Sequence, residues 1–284
     1  MPEPSFDANA YKAEQGREWG RSAAGWKQHW DIWEKGAQHI NARLVELAHL
    51  QPGHKVVDIA TGLGETAFTA ARQVGPTGQV IGTDIAPEML AIARTEAKAL
   101  GLSHVDFREM DAEEPDLPSK SFNAVLCRFG LMFLPHLTTA LTRLRQLLVP
   151  GGRFAAAVWG TVEQVPFSIL NRTIQKVRQL PPPPPGSPGA FSLGDENVLS
   201  QHFREAGFSE VHTERLTVTL EYASLDLFFA ERIATSASAR MALDGATETE
   251  RAAIWNTTTE ALQAYQETDG MIRLRNATLC IVAW

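Results

Sequence analysis

One pattern constrains this chain more than any other. Between residues 56 and 159, short β-rich runs alternate with helical stretches, and glycine or proline marks most of the joints. The first run, 56–60, breaks into Thr61-Gly62-Leu63-Gly64, and a helical stretch over 65–74 stops at Gly75-Pro76-Thr77-Gly78. A second run, 80–84, leads into a helix with Pro87 in its first turn and Gly101 after its end. Further runs lie at 105–111 and 122–127, a helix at 138–149 stops at Pro150-Gly151-Gly152, and 153–159 is the fifth run. Strands alternating with helices at this spacing imply right-handed crossovers and a doubly wound sheet. A strand at 211–220 and a short last one at 277–284 raise the count to seven. The expected fold is α/β, with a mostly parallel seven-stranded sheet.

Outside that pattern the chain reads as helical cover. Residues 8–50 predict an N-terminal helical segment holding Trp19, Trp26, Trp30 and Trp33, with a second helix closing at Pro52-Gly53. The tryptophan spacings are 7, 4 and 3. At ~100° per residue the four fall within about 60° of one another on one helix face. Helices are expected over 197–206 and 225–268, and the run Pro181 to Pro185 favours an extended polyproline spacer. The expected organisation is a helical cap (1–50), a cofactor-binding core (51–160) and the rest of the sheet (161–284). Helical insertions at 161–194 and 222–273 would form a lid.

Composition narrows the function classes. The 284 residues are 44% hydrophobic and 21% charged, with 26 Lys+Arg against 33 Asp+Glu and a net charge of −7. That apolar share supports a packed core, and an acidic chain is a poor partner for a phosphate backbone, so no nucleic acid is expected. No stretch approaches the ~20 apolar residues that span a bilayer, so no membrane insertion is expected. The opening Met1-Pro-Glu-Pro-Ser-Phe-Asp lacks the basic start and apolar run of a secretory signal, which predicts a cytoplasmic protein. Cys127 and Cys280 are the only cysteines, each in an apolar stretch, and read as buried free thiols.

The turn after the first run carries the first chemical signal. Gly62-Leu63-Gly64-Glu65-Thr66-Ala67 fits G-x-G-x-x-A, and Asp84 follows Gly64 by 20 residues. Glycines let backbone approach a ligand, a helix start offers free N–H groups, and the acid can hold a ribose diol. An adenosine-containing cofactor is implied. Asp58, inside the first strand, favours S-adenosylmethionine over a dinucleotide: a carboxylate there suits a cationic amino-acid tail and is unwelcome beside a pyrophosphate. Met110-Asp111-Ala112 places another acid where it would accept from an adenine amino group.

With these residues in view, the chain resembles the class I S-adenosylmethionine-dependent methyltransferases. The run from Leu50 to Gly64 is similar to their first motif, and Gly82-Thr-Asp84-Ile-Ala-Pro-Glu-Met89-Leu to their second. The run from Ser121 through Arg128 to Pro135 resembles their fourth strand and the helix after it, and Leu147 to Phe154 their fifth-strand entry. The motifs cover roughly residues 50–160 in order, closest in flavour to the ubiquinone/menaquinone-biosynthesis branch that methylates small molecules. Ala60 departs from a frequent glycine. The resemblance implies a Rossmann-like methyltransferase fold. It also implies that Asp58, Ala60, Gly62 and Gly64 surround the methionyl part of the cofactor, and that Asp84 holds the ribose. Ile85 and Met89 would pack on the adenine, Asp111 and Ala112 would read its edge, and Arg128 and Phe129 would lie near the sulfonium.

Subclass is narrowed by what the motifs lack. Cys127-Arg128-Phe129-Gly130 offers no oxygen ligands for Mg²⁺, so no metal is expected. An Asn/Asp-Pro-Pro-Tyr/Phe element is absent from that position, and two cysteines are too few for arsenite chemistry. A metal-free transfer to a small acceptor remains, by C-, O- or N-methylation with S-adenosylhomocysteine as product. His29 and His136 are candidate bases, with Arg128 beside the reacting centre. Trp26, Trp30, Trp33, Trp159, Phe167 and Tyr222 are candidates to line an acceptor pocket. The lack of charge clusters in 161–194 and 222–273 suggests a neutral, fairly apolar acceptor. The rivals are an NAD(P)-dependent oxidoreductase, although no tyrosine has a lysine four residues on, and a cofactor-binding regulator without turnover. The sequence leaves the oligomeric state open.

Overall fold

In the computed structural model, residues 6–182, 184 and 186–284 are described. Strand β1 (Lys55–Ile59) is buried from Val56 onward on both faces, which a central parallel strand requires. Around it lie β2 (Gln79–Asp84), β3 (Val105–Glu109), β4 (Phe122–Arg128), β5 (Leu148–Trp159), β6 (Val211–Tyr222) and β7 (Ile272–Ala283). The sheet order is β3-β2-β1-β4-β5-β7-β6, and β7 runs antiparallel to both β5 and β6. The strand order reverses between β1 and β4. In open α/β sheets ligands bind beyond the carboxyl ends of the strands at such a switch point.

Helices α1 (Ala8–Gln28) and α2 (Trp30–Leu47) precede the sheet. Helices α3 (Glu65–Val74), α4 (Pro87–Ala99), α5 (Leu137–Arg145), α6 (Ile169–Val177) and α7 (Glu196–Glu205) come next, then α8 (Leu225–Thr235), α9 (Ala237–Asp244) and α10 (Glu248–Leu262). Helix α2 belongs to the core: Ile40 and Leu44 are fully buried where it packs on β6, β5 and α3. The opposite face carries α5 and α7. Helix α1 lies apart from the sheet, against α4, α8 and α9. Asp7 caps its start by accepting from the Asn9 and Ala10 N–H groups at 3.0 Å each.

Several boundaries differ from expectation for local reasons. The tryptophan stripe is split at His29 (φ −106°, ψ 18°), so Trp19 and Trp26 sit on α1, Trp30 and Trp33 on α2. The helix expected to reach residue 149 ends at Arg145, because Pro150-Gly151-Gly152 is a register irregularity inside β5 and not a helix stop. Strand β7 begins five residues earlier than expected. The early Arg273 and Arg275 read as loop, yet they pair with Glu221, Glu267 and Asp269 beside the sheet. The stretch 225–268 breaks into α8, α9 and α10, with the α10 start fixed by a Thr247–Glu250 capping box. In the proline run, Pro181, Pro182 and Pro184 are exposed and lie outside helix and strand, while Pro183 and Pro185 fall outside the described residues. Cys127 and Cys280 are buried and unbridged, and burial pushes both thiols up to about 12. Among the described residues no helix is long and apolar enough to cross a membrane.

Candidate cofactor and acceptor site

The carboxyl end of β1 turns into α3 through three left-handed residues: Ala60 (φ 52°), Gly62 (φ 57°) and Gly64 (φ 96°). At Gly64 a side chain would also collide with the Phe68 ring, 2.6 Å from an added Cβ. Ala60 adopts the same hand at a cost of about 1–2 kcal/mol. Asp58 is fully buried beneath this turn. Its Oδ2 accepts from the Thr61 hydroxyl at 2.5 Å, while Oδ1 has no partner among the described residues. Burial raises the Asp58 carboxyl to about 7, against the opposing pull of the Thr61 hydrogen bond and Arg128.

Asp84 ends β2 and ties two segments together. Its Oδ2 accepts from Gly62 N–H at 2.9 Å and its Oδ1 from Ala86 N–H at 3.0 Å, joining the glycine turn to the start of α4. Burial raises this carboxyl too, with those N–H groups opposing. Beyond β3, Asp111 Oδ1 accepts from Glu113 N–H at 2.9 Å and Oδ2 from Lys12 Nζ at 2.6 Å. Ala112 is partly buried beside it. Lys12 belongs to α1, which packs on α4 and reaches this loop through its side chain. Gly16 lies against Ile85, its added Cβ 3.6 Å from the Ile85 carbonyl oxygen. Met89 is buried with Ala23, Leu63 and Ala86 under Trp19, Trp26 and Trp30.

At the carboxyl end of β4, Arg128 Nη2 lies 3.3 Å from Glu65 Oε2 on the first residue of α3. Phe129 (φ 60°) turns its ring flat onto Trp159 at the end of β5, with centroids 3.8 Å apart. Phe167 meets Trp159 edge-on at 4.9 Å, and Trp33 lies 6.2 Å from Trp159 and 6.0 Å from Phe167. Trp26 continues the cluster 4.7 Å from Trp33, whereas Trp30 lies parallel to Phe68 at 6.5 Å, on the glycine-turn side. Tyr222 is fully buried with its hydroxyl turned into Glu231. His29 is buried at the α1–α2 junction. His136 is exposed on the rim, and its backbone N–H donates to Glu113 Oε1 at 2.5 Å.

Sequence reasoning missed three features here. Lys12 bridges Asp111 and Glu113 from a helix whose register over the sheet has no local signal. Glu34 is half-buried between α2 and the turn; burial raises its carboxyl and Arg128 opposes. The third bears on the stretches read as lacking charge clusters: Glu231 and Arg232 form a buried ion pair, 0% and 4% exposed, on α8. Its only local sign is two adjacent charges in the second half of a mostly apolar helix.

Comparison with known proteins fits this geometry. The methyltransferase-domain family matches residues 56–152. The chain is 42% identical over 116 residues to aklanonic acid methyltransferase DauC of Streptomyces sp. (strain C5), covering 41% of this chain and 53% of that protein. It is 37% identical over 125 residues to the ubiquinone/menaquinone biosynthesis C-methyltransferase UbiE of Ectopseudomonas oleovorans, covering 43% of this chain and 74% of that sequence. The chain spans about half the length of the first of the curated relatives it matches. Among solved structures, YcgJ from Bacillus subtilis shares the fold with TM-score 0.60 at 20% identity, over 87% of this chain and 97% of its own. Haemonchus contortus phosphoethanolamine N-methyltransferase 2, solved with S-adenosyl-L-methionine, gives TM-score 0.60 at 17% identity over 100% of this chain and 61% of its own.

Fold, turn and acid positions define a nucleotide-cofactor protein of the doubly wound α/β class. The chain belongs to the class I S-adenosylmethionine-dependent methyltransferases. Its own residues fit that cofactor: the unpartnered Asp58 oxygen suits a cationic tail. Glu65, on the first residue of α3, stands where a dinucleotide would put its pyrophosphate.

Proposed function

We propose that this protein transfers a methyl group from S-adenosylmethionine to a small aromatic acceptor, without a metal. The observation that carries this reading is the ring cluster of Phe129, Trp159, Phe167 and Trp33, beside the glycine turn at the carboxyl ends of β4 and β5. Flat apolar walls of this kind stack a planar ring and exclude water. The names of the curated relatives, which refer to quinone biosynthesis and to aklanonic acid, support the same class.

When bound, S-adenosylmethionine supplies an electrophilic methyl on a sulfonium, which a nucleophile takes by direct displacement. The protein's work is then alignment and desolvation. Asp58, Ala60, Gly62 and Gly64 hold the methionyl end, Asp84 the ribose, Ile85 and Met89 the adenine faces, and Asp111 with Ala112 the adenine edge. Arg128 and Phe129 border the sulfonium, and Arg128 is positioned by Glu65. Where the acceptor must lose a proton, His29 takes it, because His136 is an exposed rim residue. Trp26 and Trp30 close the pocket from the helical side, and Tyr222 supports it from behind through Glu231. Buried free thiols fit a reducing cytoplasm.

A panel of naphthols, hydroquinones and aromatic acids, scored by the mass gain of one methyl, tests this reading. A mono-methylated product is expected, with kcat/KM unchanged by EDTA. Among the described residues no group of three or more His, Cys, Asp or Glu could hold a metal. A rate that collapses with EDTA and returns with Mg²⁺ contradicts the metal-free route.

Asp58 gives the site a pH signature. Its folded pKa of about 7 exceeds the unfolded value, so its contribution to stability is present below about pH 4 and is lost as pH rises through 7. Cation binding runs the other way, since only the ionised carboxylate attracts the methionyl ammonium. Affinity for S-adenosylhomocysteine is expected to rise about tenfold between about pH 6 and 8. Calorimetric titration across that range checks it, and Asp58→Asn removes the rise. A flat wild-type profile contradicts the assignment.

A further inference from the structure

The charge buried behind the aromatic cluster is arranged in one direction. Glu231 receives Trp33 Nε1–H at 2.8 Å, the Tyr222 hydroxyl at 3.0 Å, and Arg232 through Nε at 2.7 Å and Nη2 at 2.8 Å. Burial alone would raise the Glu231 carboxyl. The charge and hydrogen bonds of Arg232, with those of Trp33 and Thr235, more than reverse this and hold it ionised. The carboxylate is therefore saturated with donors, while the guanidinium is not. Arg232 spends Nε and Nη2 on Glu231 and Thr235, and its Nη1 makes no hydrogen bond among the described residues. That guanidinium lies 4.9 Å from the Phe167 ring centre and 5.3 Å from that of Trp33, two walls of the cluster. A fully buried ion pair is weak support for stability by itself, because desolvation offsets much of its attraction. Its placement asks for a ligand.

We propose that Arg232 is a specificity-determining residue, whose guanidinium selects aromatic acceptors that carry a carboxylate on the ring. The inference rests on the aromatic-acceptor reading above and sharpens it. Glu231 fixes the plane of the guanidinium through two parallel hydrogen bonds, and Trp33 and Tyr222 fix Glu231. The remaining Nη1 edge is then a fixed donor beside the Phe167 and Trp33 rings, where an oxyanion would meet a pre-oriented partner. Because Arg232 reaches the rings from the insertion after β6, it acts on the acceptor and not on the cofactor-binding residues at β1 and β2.

The test uses the full-length protein saturated with S-adenosylhomocysteine, titrated calorimetrically with 2-naphthoate and with its neutral near-isostere 2-naphthamide. The acid should bind at least about tenfold more tightly than the amide, the worth of one charge-assisted hydrogen bond. In the paired variant Glu231→Gln with Arg232→Met, which leaves no lone buried charge, the preference should vanish while S-adenosylhomocysteine affinity stays within about threefold. Arg232→Lys, which keeps the charge but loses the fork, should retain only part of it, and decides the matter if the paired variant does not fold. Equal binding of acid and amide by the wild type, or a preference unchanged in Arg232→Lys or in the paired variant, overturns this proposal. Failure of both probes to bind a protein that still binds S-adenosylhomocysteine overturns the aromatic-acceptor reading, and this inference with it.

Discussion

Asp84→Ala is expected to weaken S-adenosylhomocysteine binding by about 2–4 kcal/mol, roughly 30- to 1,000-fold. The carboxylate has two tasks at one point. It accepts from Gly62 and Ala86 N–H groups, which holds the glycine turn against α4, and in the proposed function its remaining lone pairs hold the ribose. Two charge-assisted bonds to ribose hydroxyls are worth ~1.5–3 kcal/mol each before overlap with the loop's own needs. Asp84→Asn keeps the shape and one carbonyl acceptor, so its loss falls between. Circular dichroism should show both variants folded, because Asp84 sits at a strand end and only the turn depends on it. Unchanged affinity in a folded Asp84→Ala protein would make the residue a helix-entry bond and nothing more.

The second large effect is expected from removing residues 1–28, the whole of α1. Turnover of any acceptor should fall by at least about 100-fold, while S-adenosylhomocysteine affinity changes by less than about tenfold. The cut belongs at the His29 break, since α2 carries Ile40 and Leu44 into the core and cannot be spared. Helix α1 is held from outside the sheet: Lys12 pairs with Asp111, Arg240 reaches Ser22 at 2.8 Å, and Gly25 packs against the Ala234 backbone. Its loss uncovers Met89 and the outer face of Trp33, admitting water to the ring cluster. Normal turnover by a folded truncated protein would make α1 dispensable, and a protein unable to fold would make it core.

The parts legible in the sequence were those fixed by short-range rules. Parallel strands buried on both faces, such as β1 and β4, read as continuous apolar runs. The glycine turn reads as glycines because only they enter the left-handed region there without strain. Asp58 and Asp84 are placed by their positions on β1 and β2, and Asp111 by following β3 by two residues. The acceptor side was less legible because it is assembled at long range. Phe129 meets Trp159 through β4–β5 pairing, and Trp33 meets Glu231 across 198 residues of sequence. The Glu231–Arg232 pair was invisible as a site, since two neighbouring charges on a helix usually face solvent. The tryptophan spacing predicted one helix face but not the break at His29, which divides it between α1 and α2 and leaves only Trp33 fully inside.

The central claim is that the glycine turn and Asp84, at the carboxyl edge of the sheet, take S-adenosylmethionine and not a nicotinamide dinucleotide. Isothermal titration of the intact protein with S-adenosylhomocysteine, and separately with NAD and NADP, tests it most directly. The account predicts saturable one-to-one binding of S-adenosylhomocysteine and no heat of binding from either dinucleotide. Binding of NAD or NADP alone would contradict it.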